Sequence, residues 1–112
     1  MITAGYASSL WIVVLGFPGC PNIEPTIQSL TSVAASLQVN AAITCQFVSE
    51  ADDLTKIGFR GSPTVLIDGA DIDPDVRANG ECNYGCRLYA PSGTPSREMI
   101  SSAILRALAG TD

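Results

Sequence analysis

The first clear pattern in the chain is an uninterrupted apolar run that ends at a turn. Between Ser9 and Gly16 nearly every residue is apolar, three β-branched residues lie in the middle, and Phe-Pro-Gly follows. A short run of this kind, bounded by turn residues, is typical of a strand buried on both faces. The sequence therefore predicts a buried strand over Ser9–Gly16.

A helical period follows the turn, and a strand period follows the helix. Over residues 23–37 the apolar positions step by four and three, which predicts a helix with one buried stripe, capped by Asn22. The stripe consists of Ile23, Ile27, Leu30, Ala34 and Leu37. Over residues 39–48, Ile43, Cys45 and Phe47 alternate onto one face, which predicts a second strand with Cys45 as an inert core residue.

The second half of the chain predicts shorter elements. Residues 49–57 are acidic at their start and carry Lys56 near their end, as a short capped helix would be. Residues 64–67 and 70–72 read as strands joined by Asp68-Gly69, a strong hairpin signal. Residues 73–85 show little periodicity and are interpreted as a loop, with 86–90 as either a short strand or an ordered part of that loop. Ser96 is expected to cap a closing helix that ends near residue 108. Its predicted buried face consists of Ile100, Ala103, Ile104, Ala107 and Leu108.

The predicted order is β-α-β-α-β-β-(loop)-α, which defines an α/β fold. The strand–helix–strand start requires a parallel crossover, and the hairpin adds antiparallel strands, so a small mixed sheet flanked by helices is expected. With 112 residues and no visible linker, we expect one domain over residues 1–112.

The composition and charge of the chain argue against several classes of function. The chain has a net charge of −5, six basic residues and no histidine. No basic patch is available for nucleic acid, and the usual general base and zinc ligand are missing. The apolar run is too short to span a membrane, and no basic residue precedes Lys56, so neither a membrane span nor a secretory signal is predicted. We therefore expect a cytoplasmic protein, in which the four cysteines are reactive, metal-binding or buried rather than a disulfide framework.

Candidate chemistry begins at Cys20, in the sequence GCPNIEPT between the first strand and the first helix. Unpaired backbone N–H groups and the positive end of the helix dipole favour an anion there, and the thiolate is both the nucleophile and the soft-metal ligand. A loop rich in proline and glycine is a poor place for a cysteine that only packs. Cys20 is therefore interpreted as a functional thiol.

A second motif, Ser62-Pro63-Thr64, directly precedes the third predicted strand, where proline can hold a cis peptide bond. Together with Cys20 at the first helix, the segment GSPTVLIDG resembles the thioredoxin superfamily. More narrowly, GCPNIEPT, FRGSPTVLIDGADIDP and CRLYAPSGTPSREMI resemble small bacterial thioredoxin-like proteins described as alkylmercury lyase-like. The likeness runs from about residue 12 to residue 108. It implies a thioredoxin-like fold, Cys20 as the nucleophile, Pro63 as the cis-proline beside it, and Ser62, Pro63 and Thr64 as the substrate-binding segment.

The chain departs from the C-x-x-C pattern of thioredoxin-type enzymes, because Ile23 stands three residues after Cys20. Any partner sulfur must come from elsewhere. Cys86 is the first candidate, since it begins one of the matching motifs, and Cys82 is the second. These two cysteines could also pair with each other, whereas a zinc site built on them would lack ligands.

Three functions remain open from the sequence. The first is thiol–disulfide exchange through Cys20, resolved by Cys86 or Cys82, with a protein or small-molecule thiol or disulfide as partner and no cofactor. The second is binding of mercury or another soft metal by Cys20 and Cys86; alkylmercury lyase activity itself is not expected, because no carboxylate matches a lyase motif.

The third is a non-catalytic peptide-binding module, in which Tyr84 or Tyr89 would be exposed. Two arginines near these motifs, Arg60 and Arg87, could stabilise a thiolate, but each is by default expected to be a solvated surface charge.

Overall fold

A computed structural model describes residues 9–49, 52, 54–74, 83–86, 89 and 93–110, with the backbone alone for 54–55 and 83–86. Three helices and six strands follow one another along this part of the chain. They are β1 (Ser9–Gly16), α1 (Ile23–Ser36), β2 (Asn40–Phe47), α2 (Leu54–Ile57), β3 (Arg60–Ser62), β4 (Thr64–Ile67), β5 (Ala70–Asp71), β6 (Asn83–Cys86) and α3 (Arg97–Ala109). The α/β class predicted from the sequence is confirmed. None of the helices in these ranges is both long and apolar enough to cross a membrane.

The strands form one mixed sheet and one small parallel pair. The four-stranded sheet has the order β2-β1-β4-β5, with β1 parallel to β2 and antiparallel to β4. β5 pairs antiparallel with β4. Beside this sheet, β3 pairs with β6 in parallel, so that Arg60 is opposite Asn83 and Ser62 is opposite Cys86.

Each face of the four-stranded sheet has its own hydrophobic cluster. Alternate residues of β1, beginning with Leu10, pack with α1 and α3, and this larger cluster includes the fully buried Leu30 and Ile104. The residues between them, Val13 and Leu15, pack on the opposite face with Val48 and Phe59. Because β1 is covered on both faces over most of its length, its nearly continuous apolar sequence is explained.

Three local predictions are confirmed. α1 begins at Ile23, and α3 begins after Ser96, whose hydroxyl accepts a hydrogen bond from Met99 N at 3.0 Å. The turn Asp68-Gly69 has φ angles of 49° and 90°, the left-handed pair that a two-residue hairpin turn requires.

The turn is also bonded back to the central strand. Asp68 N donates to Trp11 O at 2.8 Å, and Trp11 N donates to Asp68 Oδ1 at 2.9 Å. The Trp11 side chain nevertheless lies largely in water. These two bonds therefore fix the hairpin to β1 through the backbone of Trp11 and leave its ring outside the core.

Several predictions about the ends and faces of elements are wrong. Asn22 makes no side-chain cap; its carbonyl instead accepts hydrogen bonds from Thr26 N and Thr26 Oγ1. Of the helix expected over residues 49–57, the structure describes Leu54–Ile57, and Asp52 lies in a bend outside it. Within the predicted stripes Leu108 is exposed, and it is not among the residues that pack on the larger core cluster.

The largest error concerns the loop region. β3 is not predicted by any pattern, and β6 occupies residues 83–86, most of which were interpreted as loop. Residues 75–82 lie outside the described ranges.

Candidate functional site

Cys20 lies in the turn that joins β1 to α1. Its backbone N–H donates to Phe17 O at 3.1 Å, and its carbonyl accepts a hydrogen bond from Ile23 N at 3.4 Å. The residue is half-buried and packs against the edge of the larger hydrophobic cluster. Cys20 is not part of a disulfide. A thiol in this position is held in a defined turn and still reached by solvent, as the functional interpretation requires.

The segment around Pro63 has the predicted geometry. The Ser62-Pro63 peptide bond is cis, and all three residues 62–64 are buried. Thr64 Oγ1 donates to Gly61 O at 2.6 Å and accepts from Arg60 N at 3.0 Å, which closes the chain reversal between β3 and β4. Because the Thr64 hydroxyl is engaged internally, it holds the segment in shape and is not presented to solvent.

The Cys20 loop and the Pro63 segment are joined directly. Phe17 N donates a hydrogen bond to Ser62 Oγ at 3.1 Å. The two segments also approach closely at Gly16, where an added Cβ would lie 2.7 Å from Ser62 Oγ and 2.6 Å from Ile23 Cδ1. Only glycine fits at the end of β1 without displacing one of these neighbours.

Cys86 is the strand partner of the same serine. In the β3–β6 pair its backbone is in register with Ser62, the residue immediately before Pro63. Ser62 therefore contacts the Cys20 loop through its side chain and the Cys86 strand through its backbone. Cys82, the second candidate partner, lies outside the described residues.

An aromatic contact supports the loop from the opposite face of the sheet. The rings of Phe17 and Phe59 are 5.6 Å apart between centroids and inclined at 70°, an edge-to-face arrangement. Phe59 is fully buried in the smaller cluster. The residue whose N–H binds Ser62 is thus also anchored by its ring.

Arg60 is not the solvated charge that was expected by default. Its guanidinium NH1 lies 3.7 Å from Asp71 Oδ2, and the side chains are 19% and 0% exposed, respectively. The Asp71 carboxylate also accepts a hydrogen bond from Asp73 N at 2.9 Å. This ion pair joins β3, which ends at Ser62, to β5 of the main sheet. Arg87 lies outside the described residues.

Cys45 was predicted to be core, and this is wrong. β2 is an edge strand, and α1 covers Ala41 and Ile43 but leaves Cys45 and Phe47 exposed. Partial loss of water at the strand raises the pKa of the Cys45 thiol above its ordinary value of 9.0, and the negative charge of Glu24 raises it further. The exposed thiol is thus held in its protonated, less nucleophilic form.

The remaining candidate residues are those of the peptide-binding and metal-binding hypotheses. Tyr89 is buried and offers no exposed ring for a peptide, and the side chain of Tyr84 is not among those described. Within the described ranges no three or more His, Cys, Asp or Glu side chains cluster as a metal site would require. The two-thiolate soft-metal site of Cys20 and Cys86 remains a prediction.

The site contains two features that the sequence reasoning did not identify. The role of Ser62 as the link to Phe17 and the steric need for Gly16 were both missed. The available signal for Gly16 was a strand that ends in glycine four residues before the candidate nucleophile. Comparison with protein-family models finds no match, and comparison with curated proteins finds none either.

Proposed function

We propose that the chain is a thiol–disulfide exchange protein of thioredoxin-like fold, in which Cys20 is the attacking thiol and Cys86 the resolving one. The observation that carries the proposal is the shared position of Ser62. Its hydroxyl accepts from Phe17 N in the Cys20 loop, and its backbone is in register with Cys86. This shared contact supports a pairing of two cysteines that are distant in sequence, in a chain that has no C-x-x-C.

The arrangement of strands supports the fold part of the proposal. A parallel β1/β2 pair connected by α1, followed by antiparallel β4 and β5 and a closing helix on the α1 face, is the order expected for a thioredoxin-like core. The cis bond before Pro63 stands directly ahead of β4, next to the loop that holds Cys20.

The proposed chemistry is two successive exchanges. The Cys20 thiolate attacks one sulfur of a substrate disulfide; a Cys20–substrate bond forms, the substrate S–S bond breaks, and the leaving thiolate takes up a proton. The Cys86 thiolate then attacks Cys20 Sγ, which releases the second substrate thiol and leaves a Cys20–Cys86 disulfide. The substrate disulfide is reduced and the protein dithiol is oxidised, so the electrons balance.

A limiting amount of an aromatic disulfide such as dithiobis(nitrobenzoate) tests this assignment. With reduced wild-type protein we expect rapid release of the coloured thiolate and a Cys20–Cys86 disulfide detected by peptide mass mapping. Cys86→Ser is expected to stop at the mixed disulfide on Cys20, and Cys20→Ser is expected to lose the fast phase.

Cys45→Ser is the matched control, because Cys45 is exposed but carries a thiol whose pKa is raised. It is expected to leave the fast phase unchanged. The proposal fails if Cys20 and Cys45 react at the same rate in the wild-type protein. Accumulation of a mixed disulfide on Cys20 in the wild type, with no transfer to Cys86, would remove Cys86 from its proposed role.

A further inference from the structure

Among the residues that the structure describes, the outermost strand of the main sheet carries none of the protections usual for an edge. β2 pairs with β1 over eight consecutive residues without a bulge, and six of its eight residues are exposed. The sequence NAAITCQF contains no charged residue, no proline and no glycine. Natural edge strands are normally shortened, bulged, covered or charged, because unpaired N–H and C=O groups otherwise pair with another strand.

The exposed end of β2 is symmetric in chemical character. Reading Ile43-Thr44-Cys45-Gln46-Phe47 in either direction gives apolar, polar, thiol, polar, apolar. Phe47 is 59% exposed, and Ile43 on the same face is half-buried. An antiparallel strand of the same sequence centred on Cys45 would place each Phe47 against an Ile43 and each Gln46 against a Thr44.

We propose that residues 43–47, termed here the β2 edge, form an antiparallel interface with the β2 edge of a second copy, with Cys45 at the two-fold axis. The two four-stranded sheets then become one continuous sheet, with both α1 helices on the same face. The interface is isologous, as in most homodimers; main-chain hydrogen bonds supply its affinity, and the side chains of residues 43–47 supply its specificity.

The alternation of the β2 edge, which is the same read in either direction, and its lack of charge favour a second copy as the occupant. Each chain carries a net charge of −5, so two copies repel one another wherever carboxylates meet. The β2 edge has no charge of its own and can face itself without opposing like charges. Glu24 in the first turn of α1 is the charge that acts on Cys45, and two such carboxylates near the axis weaken the pairing. Added salt screens both effects.

Sedimentation equilibrium of the reduced full-length chain over a wide concentration range tests the interface. We expect a reversible monomer–dimer equilibrium that shifts toward dimer as sodium chloride is raised. Thr44→Lys is expected to abolish the dimer, because each lysine would face Gln46 of the other copy and the two lysines would lie diagonally across the two-fold axis, where their charges repel. Thr31→Lys is the matched control: Thr31 is an exposed threonine on α1, and the charge change is the same. It is expected to dimerise as the wild type does.

A second measurement tests the register. Opposed residues in an antiparallel pair have Cα atoms about 4.5–5.5 Å apart, within the range of about 4.4–6.8 Å that a disulfide spans. A variant that retains only Cys45 is therefore expected to give a covalent dimer under a mild chemical oxidant, and one that retains only Cys20 is not.

Four results would each overturn the proposal. They are a monomer at every concentration, a dimer that weakens as salt is added, equal dissociation by the two lysine variants, and a dimer whose Cys45 cannot be cross-linked. The interface does not depend on thiol exchange at Cys20, so Cys20→Ser is expected to dimerise normally.

Discussion

Gly16 and Ser62 meet so closely that no side chain fits between them. An ideal Cβ at residue 16 would be 2.7 Å from Ser62 Oγ, a distance that real Cβ contacts do not reach. The contact lies where the end of the central strand passes the segment that precedes Pro63. The spacing of the two segments that carry the candidate site is thus set by the absence of one methyl group.

Gly16→Ala is expected to destabilise the protein by about 1–3 kcal/mol, the usual cost of adding volume to a well-packed interior. The added methyl group must displace Ile23 Cδ1 or Ser62 Oγ. Urea unfolding measures the change, and a double-mutant cycle with Ser62→Ala provides the control, because removal of Oγ opens space on one side. A cycle with no coupling between the two positions would contradict the contact.

Ser62→Ala is expected to lower the free energy of unfolding by about 1 kcal/mol, because Phe17 N loses the hydroxyl to which it donates. It is also expected to slow alkylation of Cys20 or make it heterogeneous, since the loop is then less firmly held. Ser32→Ala is the control. Ser32 is exposed, and its hydroxyl only accepts a bond from Arg97 at the surface. Equal losses from the two substitutions would show that Ser62 has no special role.

Asp71→Asn is expected to destabilise the protein by up to about 3 kcal/mol, toward the lower end of the cost of breaking a buried pair, since Arg60 retains some contact with water. The Asp73 N–H can still bond to the asparagine oxygen, so that hydrogen bond is retained. Asp52→Asn makes the same change at an exposed site and is expected to cost less than about 0.5 kcal/mol.

In a double-mutant cycle of Asp71→Asn with Arg60→Gln, the double variant is expected to lose less unfolding free energy than the sum of the two single losses. Additive losses would mean that the two groups do not interact.

The reaction of Cys45 with iodoacetamide is expected to follow a pKa above 9.0, because partial burial and then Glu24 disfavour its thiolate. Its rate therefore rises at higher pH than that of an unperturbed cysteine. Glu24→Gln removes one cause and is expected to shift the profile to lower pH, though not fully to 9.0, since burial remains. Glu98→Gln, an equal charge change on the exposed start of α3, is expected to leave the profile in place. Equal shifts from both variants would point to net charge rather than to a local effect. The measurement requires dilute protein, so that the β2 edge is open.

Local patterns predicted the local parts of this fold well. The apolar run of β1, the period of α1 and the Asp68-Gly69 turn each contain their own signal within a few residues. β3 has only three residues with a glycine in the middle, and its partner β6 lies about twenty residues further along in a segment rich in turn formers. Its pairing is non-local, and no period of two or 3.6 marks it.

The candidate site likewise has some features that local sequence predicts and others that exist only in the folded chain. Cys20 and Pro63 were found from their positions next to a helix and a strand, but the bond between Phe17 and Ser62 exists only once the chain has folded. For Cys45, the alternation of apolar residues predicted the face of the strand but not its burial. Alternation assigned it to the correct face of β2, but it could not show that α1 stops short of covering the end of an edge strand.

The position of Trp11 has a practical consequence for spectroscopy. It is the sole tryptophan, and its ring is already 58% exposed in the folded chain. Its emission is therefore expected to shift only slightly to the red when the chain unfolds in urea. Intrinsic fluorescence is accordingly a weak reporter of unfolding for this protein, and far-ultraviolet circular dichroism, which detects the loss of α1 and α3, is the better signal for each stability comparison above.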